Sequence, residues 1–215
     1  MMDGATDTGD GTPVAPERAG YRRSTGTARG EARRRKLLDD VADDLAAEGL
    51  VDFSLRRAAR AAGTTHKVLL YHFEDADDLL MQAIVLLREK RIANAFAVAG
   101  REHAALSDRV RALWPILTGA ESGLRVLDQA IGLAMYDPGR HARLGREATK
   151  QYLPLLLSIC PAEWSQQRKT EIAELILATL RGFLVDWLIS GQPEEANVGF
   201  EALTRALDRE EAADR

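Results

Sequence analysis

SLRRAARAAGTTHKVLLYHF, residues 54–73, decides how the rest of this 215-residue chain is read. The stretch divides at Gly63 into two short helical patterns. Ser54 precedes the slender apolar stripe Leu55, Ala58, Ala59 and Ala62, so its side-chain oxygen can cap a first helix, and Gly63 can close that helix in a left-handed turn. Thr65 can cap the second helix, which Leu69 and Phe73, four apart, anchor against the first. Stripes built largely of alanine let two helices cross closely. A helix-turn-helix of this kind lays its second helix in the major groove of DNA, with the first turn nearest the base edges. Here that turn carries His66, Lys67 and Val68.

Outward from this stretch, Leu37, Leu38, Val41, Ala42 and Leu45 share one face of a predicted helix over 32–48, with Gly49 as its stop. Asp39, Asp40, Asp43 and Asp44 form its outer face; with no histidine or cysteine nearby they read as a solvated stripe rather than acid-base or metal chemistry. On the other side, Asp75 caps a further helix through Leu79, Leu80, Ile84 and Leu87 towards Val98, and the acids of residues 74–78 complement its dipole.

The run LLDDVADDLAAEG, then S-L-x-x-A-A-x-A-A-G, then T-T-H-K-V-L-L-Y-H-F resembles the DNA-binding domain of TetR-family transcriptional regulators over residues 37–80. The spacing from Gly49 to Ser54, Gly63, Phe73 and Leu79 matches as well. The resemblance implies a homodimer that binds a double-stranded, palindromic DNA operator and is released by a small-molecule effector. Three positions depart from the family pattern: Leu70 stands where a backbone-touching tyrosine is usual, Ala76 where a lysine is usual, and Ala58 where a larger aliphatic is common. The first two remove phosphate anchors, and each lost phosphate contact lowers the salt slope of binding by roughly one unit.

Composition is consistent with this. At 46% hydrophobic residues the chain can fill a core, and few strand formers point to an all-α protein. The overall charge of −4 conceals an asymmetry: residues 17–72 hold twelve Arg and Lys against eight Asp and Glu, a net of +4, ahead of an acidic remainder. One cysteine, Cys160, excludes an internal disulfide and reads as a small buried hydrophobe. Without a secretory signal or a spanning apolar run, a cytoplasmic protein with no membrane partner is expected.

Three segments follow: an arm over 1–30, too polar to order itself, a helix-turn-helix domain over 31–78, and a helical effector-binding and dimerisation domain over 79–215. Candidate DNA contacts are Arg33, Arg34 and Arg35 just after the arm, Ser54 and Arg56 on the helix that crosses the backbone, and Thr65, His66, Lys67, Val68, Leu70, Tyr71 and His72 on the recognition helix. Lys67 is assigned to a guanine edge or phosphate, Val68 to a thymine methyl, His66 to a base edge or the backbone.

Further helices are predicted over 105–117, 123–136, 142–159 and 194–211, with Asp137-Pro138-Gly139 as a break. Trp114, Met135, Tyr136, Tyr152, Leu156, Arg181 and Phe183 are candidates to line a cavity for a hydrophobic or aromatic effector, Arg181 or Asp186 being its polar handle. Residues 169–190 are apolar on too many faces for a surface helix and so need a second neighbour, a symmetry mate. Ile176, Ala178, Gly182, Val185 and Trp187, with Phe200, Leu203 and Leu207 of the last helix, are the candidate dimer interface.

Enzyme signatures are missing from the sequence. There is no phosphate loop, no dinucleotide fingerprint and no G-x-S-x-G, the four histidines are scattered, and no cofactor or metal is implied. A TetR-shaped ligand-binding or protein-interaction module with weakened DNA binding is the alternative that Leu70 and Ala76 motivate; a helical-bundle enzyme using the cavity is a more distant one.

Overall fold

The computed structural model describes residues 27–99, 105–119 and 123–213, all helix and connection. Of the expected arm, residues 1–26 lie outside the described residues.

α1 (Ala28–Glu48) begins four residues earlier than periodicity predicts, because the Thr27 hydroxyl accepts from the Gly30 amide and caps it. α2 (Leu55–Ala61) and α3 (His66–His72) are capped as expected: Ser54 Oγ accepts from Arg57 N, and Thr65 Oγ1 from Val68 N. Gly63, at φ +54, supplies the left-handed residue between them. α4 (Ala76–Ala99) starts in a reciprocal cap, with Asp75 accepting from the Asp78 amide at 2.8 Å and Asp78 from the Glu74 amide at 3.1 Å. The acids after Phe73 are thus largely consumed in building a helix start.

Leu37, Val41 and Leu45 of α1, Ala58 and Ala59 of α2, Leu69 of α3, and Leu79, Ala83 and Ile84 of α4 close one apolar core. The aspartates of α1, read as a solvated stripe, are instead paired around it. Asp44 holds Arg57 of α2 at 2.7 Å, Asp39 and Asp43 hold Lys90 of α4 at 3.1 and 3.2 Å, and Asp40 takes Lys36.

The remaining helices are α5 (Leu106–Thr118), α6 (Leu124–Tyr136), α7 (Pro138–Ile159), α8 (Gln166–Ser190) and α9 (Pro193–Ala212). α7 starts at Pro138, not residue 142. Asp137 accepts from the Arg140 amide, and proline suits the first helical position because its missing N–H has no intrahelical partner there. The predicted break is therefore only a tight corner between α6 and α7. Pro115 and Pro154 sit inside α5 and α7.

A second core joins Val110 and Leu113 of α5, Leu155 and Ile159 of α7, Ile172, Ile176 and Leu180 of α8, and Phe200, Leu203 and Leu207 of α9. The last three residues and Ile176 are buried in the subunit's own core, which corrects their assignment to a dimer interface. α8 packs tightly on α9 at Gly199, where a Cβ would lie 2.5 Å from the Phe183 ring, so this position has no room for a larger residue. The first core continues into Val126, Leu127 and Ala130 of α6 and Leu144 of α7, so the three N-terminal helices rest on the larger body.

Candidate functional site

Two groups of candidate functional side chains lie along α4, one beyond its start and one at its C-terminal half. The first is the outer face of α3. His66, Lys67 and Leu70 are exposed there, with Leu70 44% exposed despite being apolar. Val68 is half-buried and packs against the N-terminal core, which leaves less of it for a thymine methyl than expected. Tyr71 and His72 are half-buried with their rings edge to face, 5.0 Å between centroids. Burial, reinforced by the charges of Arg34 and Arg33, holds the His72 imidazole below its ordinary pKa, so it is neutral at neutral pH.

Arg33, Arg35 and Arg56 are exposed. Arg34, expected on DNA, is turned inward. Its Nε donates to the His72 carbonyl at 3.3 Å, Nη2 donates to Gln82, and the guanidinium lies 4.9 Å from the centre of the Phe73 ring. It clamps α1 to the end of α3 and to α4. Arg57, singled out by no sequence argument, does the same for α2, donating to Asp44 and to the Val51 carbonyl. Beside the Arg34 clamp an open cleft runs between the start of α1 and the end of α3, lined by Ala28, Glu31, Arg35 and His72 among others.

The second group surrounds a cavity of about 60 Å³ between α4, α5, α6, α7 and α8. Tyr152, Leu156 and Arg181 line it, as expected. The other candidates do not. Met135 and Tyr136 are 79% and 90% exposed at the end of α6. Trp114 stacks on Phe200 at 4.5 Å, meets Phe183 edge-on and donates its Nε1–H to Asn197, so Trp114 and Phe183 serve the α5–α8–α9 packing. Asp186 is exposed and no handle for the cavity.

Sequence reasoning missed Arg88, Arg91 and Asp128, all of which line it. The signal was present: Ile84, Arg88, Arg91 and Ala95 recur at spacings of four, three and four, so two cations occupy the core stripe of α4. Arg88 is 1% exposed and donates through Nη2 to the Leu144 carbonyl at 2.9 Å; Arg91 Nη2 donates to the Leu117 carbonyl at 3.0 Å. Arg181 Nη1 reaches Thr149 Oγ1 at 3.3 Å.

Each of these polar groups keeps an unused atom. Arg88 Nη1, Arg91 Nε, Arg181 Nη2, Asp128 Oδ2 and the Tyr152 hydroxyl are buried with no hydrogen-bond partner among the described residues. Burial pushes the Asp128 carboxyl up, against the pull of Arg91 and Arg181, and pushes the Arg88 and Arg181 guanidiniums down.

The two groups are mechanically joined. α4 carries Leu79 and Ile84 in the N-terminal core and Arg88 and Arg91 at the cavity. On α6, Asp128 lines the cavity while its neighbour Gln129 accepts from the Leu50 amide at 2.8 Å, holding the connection between α1 and α2. Arg140 at the start of α7 makes a bidentate pair with Asp77 at the start of α4, at 2.6 and 2.8 Å.

The candidate dimer residues divide. Ala178, Gly182 and Val185 are exposed on α8, and with Leu175 and the 80%-exposed Ile189 they form an unbroken apolar stripe at spacings of three, four, three and four. Trp187 is half-buried and turns to a cleft shared with Gly49, Thr118 and Leu124.

Cys160 is buried and donates to the Leu156 carbonyl; burial raises its thiol pKa, which keeps it protonated. Among the described residues, no helix is long and apolar enough to cross a membrane, and no cluster of side chains could hold a metal ion.

No protein-family model and no curated protein matches the chain. Solved structures do match. The multidrug binding protein EbrR, solved with proflavin, is 22% identical over 80% of this chain and 98% of its own, with a TM-score of 0.60. A TetR-family transcriptional regulator from Cytophaga hutchinsonii is 14% identical over 85% of this chain and 96% of its own, with a TM-score of 0.68. A TetR-family regulator from a Rhodococcus species, described as putative, is 17% identical over 83% and 97%, at 0.64. The helix-turn-helix on a larger helical body is therefore the fold of TetR-family transcriptional regulators.

Proposed function

We propose that the protein is a cytoplasmic transcriptional repressor of TetR type. It binds a palindromic operator as a homodimer through α3, and a small effector with an apolar body, held in the cavity beside α4, releases it. The observation that carries this reading is the solvent-facing first turn of α3, with His66 and Lys67 uncovered on a core that the cavity-lining helix α4 also helps to build.

Two recognition helices must meet half-sites roughly 34 to 36 Å apart, or a multiple of that. An effector that prefers a subunit shape with the wrong separation shifts the equilibrium off DNA by its difference in affinity for the two shapes. α4 and α6 each have residues in both regions, so a change at the cavity has a short path to α3. The apolar stripe on α8 supports the homodimer, because it is continuous, exposed and flanked by Glu171, Glu174 and Asp186.

The alternative of a ligand-binding module with weakened DNA binding is favoured by one observation: Leu70 places an apolar side chain on the exposed face where a phosphate anchor is usual in the family. Selection of genomic fragments by the purified protein, followed by anisotropy titration of the recovered DNA, separates the two. Lys67→Ala should weaken binding about tenfold and flatten its salt slope by about one unit, with stability changed by no more than about 0.5 kcal/mol. Unchanged affinity and slope would remove Lys67 from the interface, and failure to recover any fragment would favour the alternative.

A further inference from the structure

We infer that the cavity takes an amphipathic organic acid: an anionic carboxylate head held by Arg88, Arg91 and Arg181, on an apolar body received by the surrounding leucines. The inference rests on the reading of this cavity as the effector site and names the chemical class of the effector. Three arginines and one carboxylate, Asp128, are among the residues that line the cavity, so the lining carries a net positive charge whether or not Asp128 is ionised. Among the described residues Asp128 makes no ion pair with these arginines, and its Oδ2 is buried without a hydrogen-bond partner. A neutral ligand offers these guanidiniums no countercharge, and a cation is repelled by the majority charge. A carboxylate can accept from guanidinium forks in parallel, and its head is small enough for a space of about 60 Å³.

The walls determine the remainder of the ligand. Leu113, Leu117, Leu127, Ile131, Leu180 and Leu184 surround the polar cluster, so the part beyond the head must be apolar. Known ligand pockets occupy about 300–1,000 Å³, so such a body has to push the helices apart to enter. The head competes for the guanidiniums that now donate to the Leu144 carbonyl of α7 and the Leu117 carbonyl of α5. Binding an acid therefore loosens these two ties of α4, whereas an apolar molecule without the charge leaves them in place.

The test is calorimetric titration of the full chain, without DNA, using octanoate, octanol and octylamine, which share a chain and differ in head charge. Octanoate should bind at least about tenfold more tightly than octanol, and octylamine most weakly. Arg88→Met, which keeps the volume and loses the charge, should reduce octanoate affinity about tenfold and leave octanol unchanged; Asp128→Asn should tighten octanoate. If circular dichroism shows Arg88→Met unfolded, Arg181→Met, at a less buried position, carries the same comparison. Octylamine binding as tightly as octanoate, or octanoate no better than octanol, overturns the inference. Failure here leaves operator binding untouched, whereas octanoate binding that does not release DNA breaks the repressor reading and leaves the ligand class standing.

Discussion

α3 and α8 each turn a face to solvent that none of the described residues covers, and the two faces are made of opposite materials. On α3 it is His66 and Lys67 with Leu70; on α8 it is Leu175, Ala178, Gly182, Val185 and Ile189. Exposure alone says nothing about what covers a helix, but composition does. A cationic or hydrogen-bonding face is well solvated in water and gains when its cations displace the counterions condensed on DNA phosphates. An apolar stripe costs about 25 cal/mol for every Å² left wet, and a second copy of itself is the partner that is always available. Leu70 is the residue that breaks this division, an apolar side chain on the polar face.

The largest expected effect is on α8. Nothing lies within 4 Å of a Cβ built at Gly182, so Gly182→Leu is compatible with the subunit and should even favour its helix by about 0.8 kcal/mol. Two copies crossing at that point would lose their close approach, and light scattering should report monomers. A variant that stays dimeric would take the α8 stripe out of the interface and leave its exposure without a partner.

A smaller effect is expected on α3. Leu70→Tyr restores a hydroxyl to the exposed face and should raise operator affinity a few-fold, with a steeper salt dependence, since a tyrosine hydroxyl can donate to phosphate. Thermal stability should change by no more than about 0.5 kcal/mol, because the side chain is exposed and outside the core. Equal or weaker binding would show that residue 70 faces away from the backbone, and that the polar face of α3 ends at Lys67.

The two faces differ also in how far they could be read from sequence. Caps and turns are local, so Ser54, Gly63 and Thr65 could be placed on α2 and α3 from their immediate neighbours. A stripe such as Phe200, Leu203 and Leu207 says that a helix face is buried without saying by what, and these residues went to a partner subunit when their own α5 and α8 cover them. Arg88 and Arg91 were passed over for a related reason. A charged residue on an apolar stripe is recognisable as unusual only once the helix is known to be surrounded, which depends on contacts with α5, α6 and α7 that no local pattern encodes. Arg34 shows the converse: an arginine in a basic run reads as a phosphate contact, yet the fold uses it as a clamp.

The smallest effect tests how the helices that link the two faces are fastened. Arg140 holds Asp77 through two short bonds, and that hydrogen-bonded pairing keeps the Asp77 carboxyl below its ordinary pKa. A carboxylate with a lowered folded-state pKa stabilises the fold at pH values above its unfolded pKa, and the contribution is lost as pH falls through the lowered value, below about 4. Both side chains are substantially exposed, so screening keeps the contribution to stability small at physiological salt. Asp77→Asn should therefore lower the melting temperature only slightly at neutral pH and match the parent in acid, where the parent's Asp77 is itself protonated. A gap that persists unchanged into acid would mean that Asp77 acts through its place in the first turn of α4 rather than through Arg140, leaving the α1–α2 connection on Gln129 as the firmer tie between α3 and the body that carries α8.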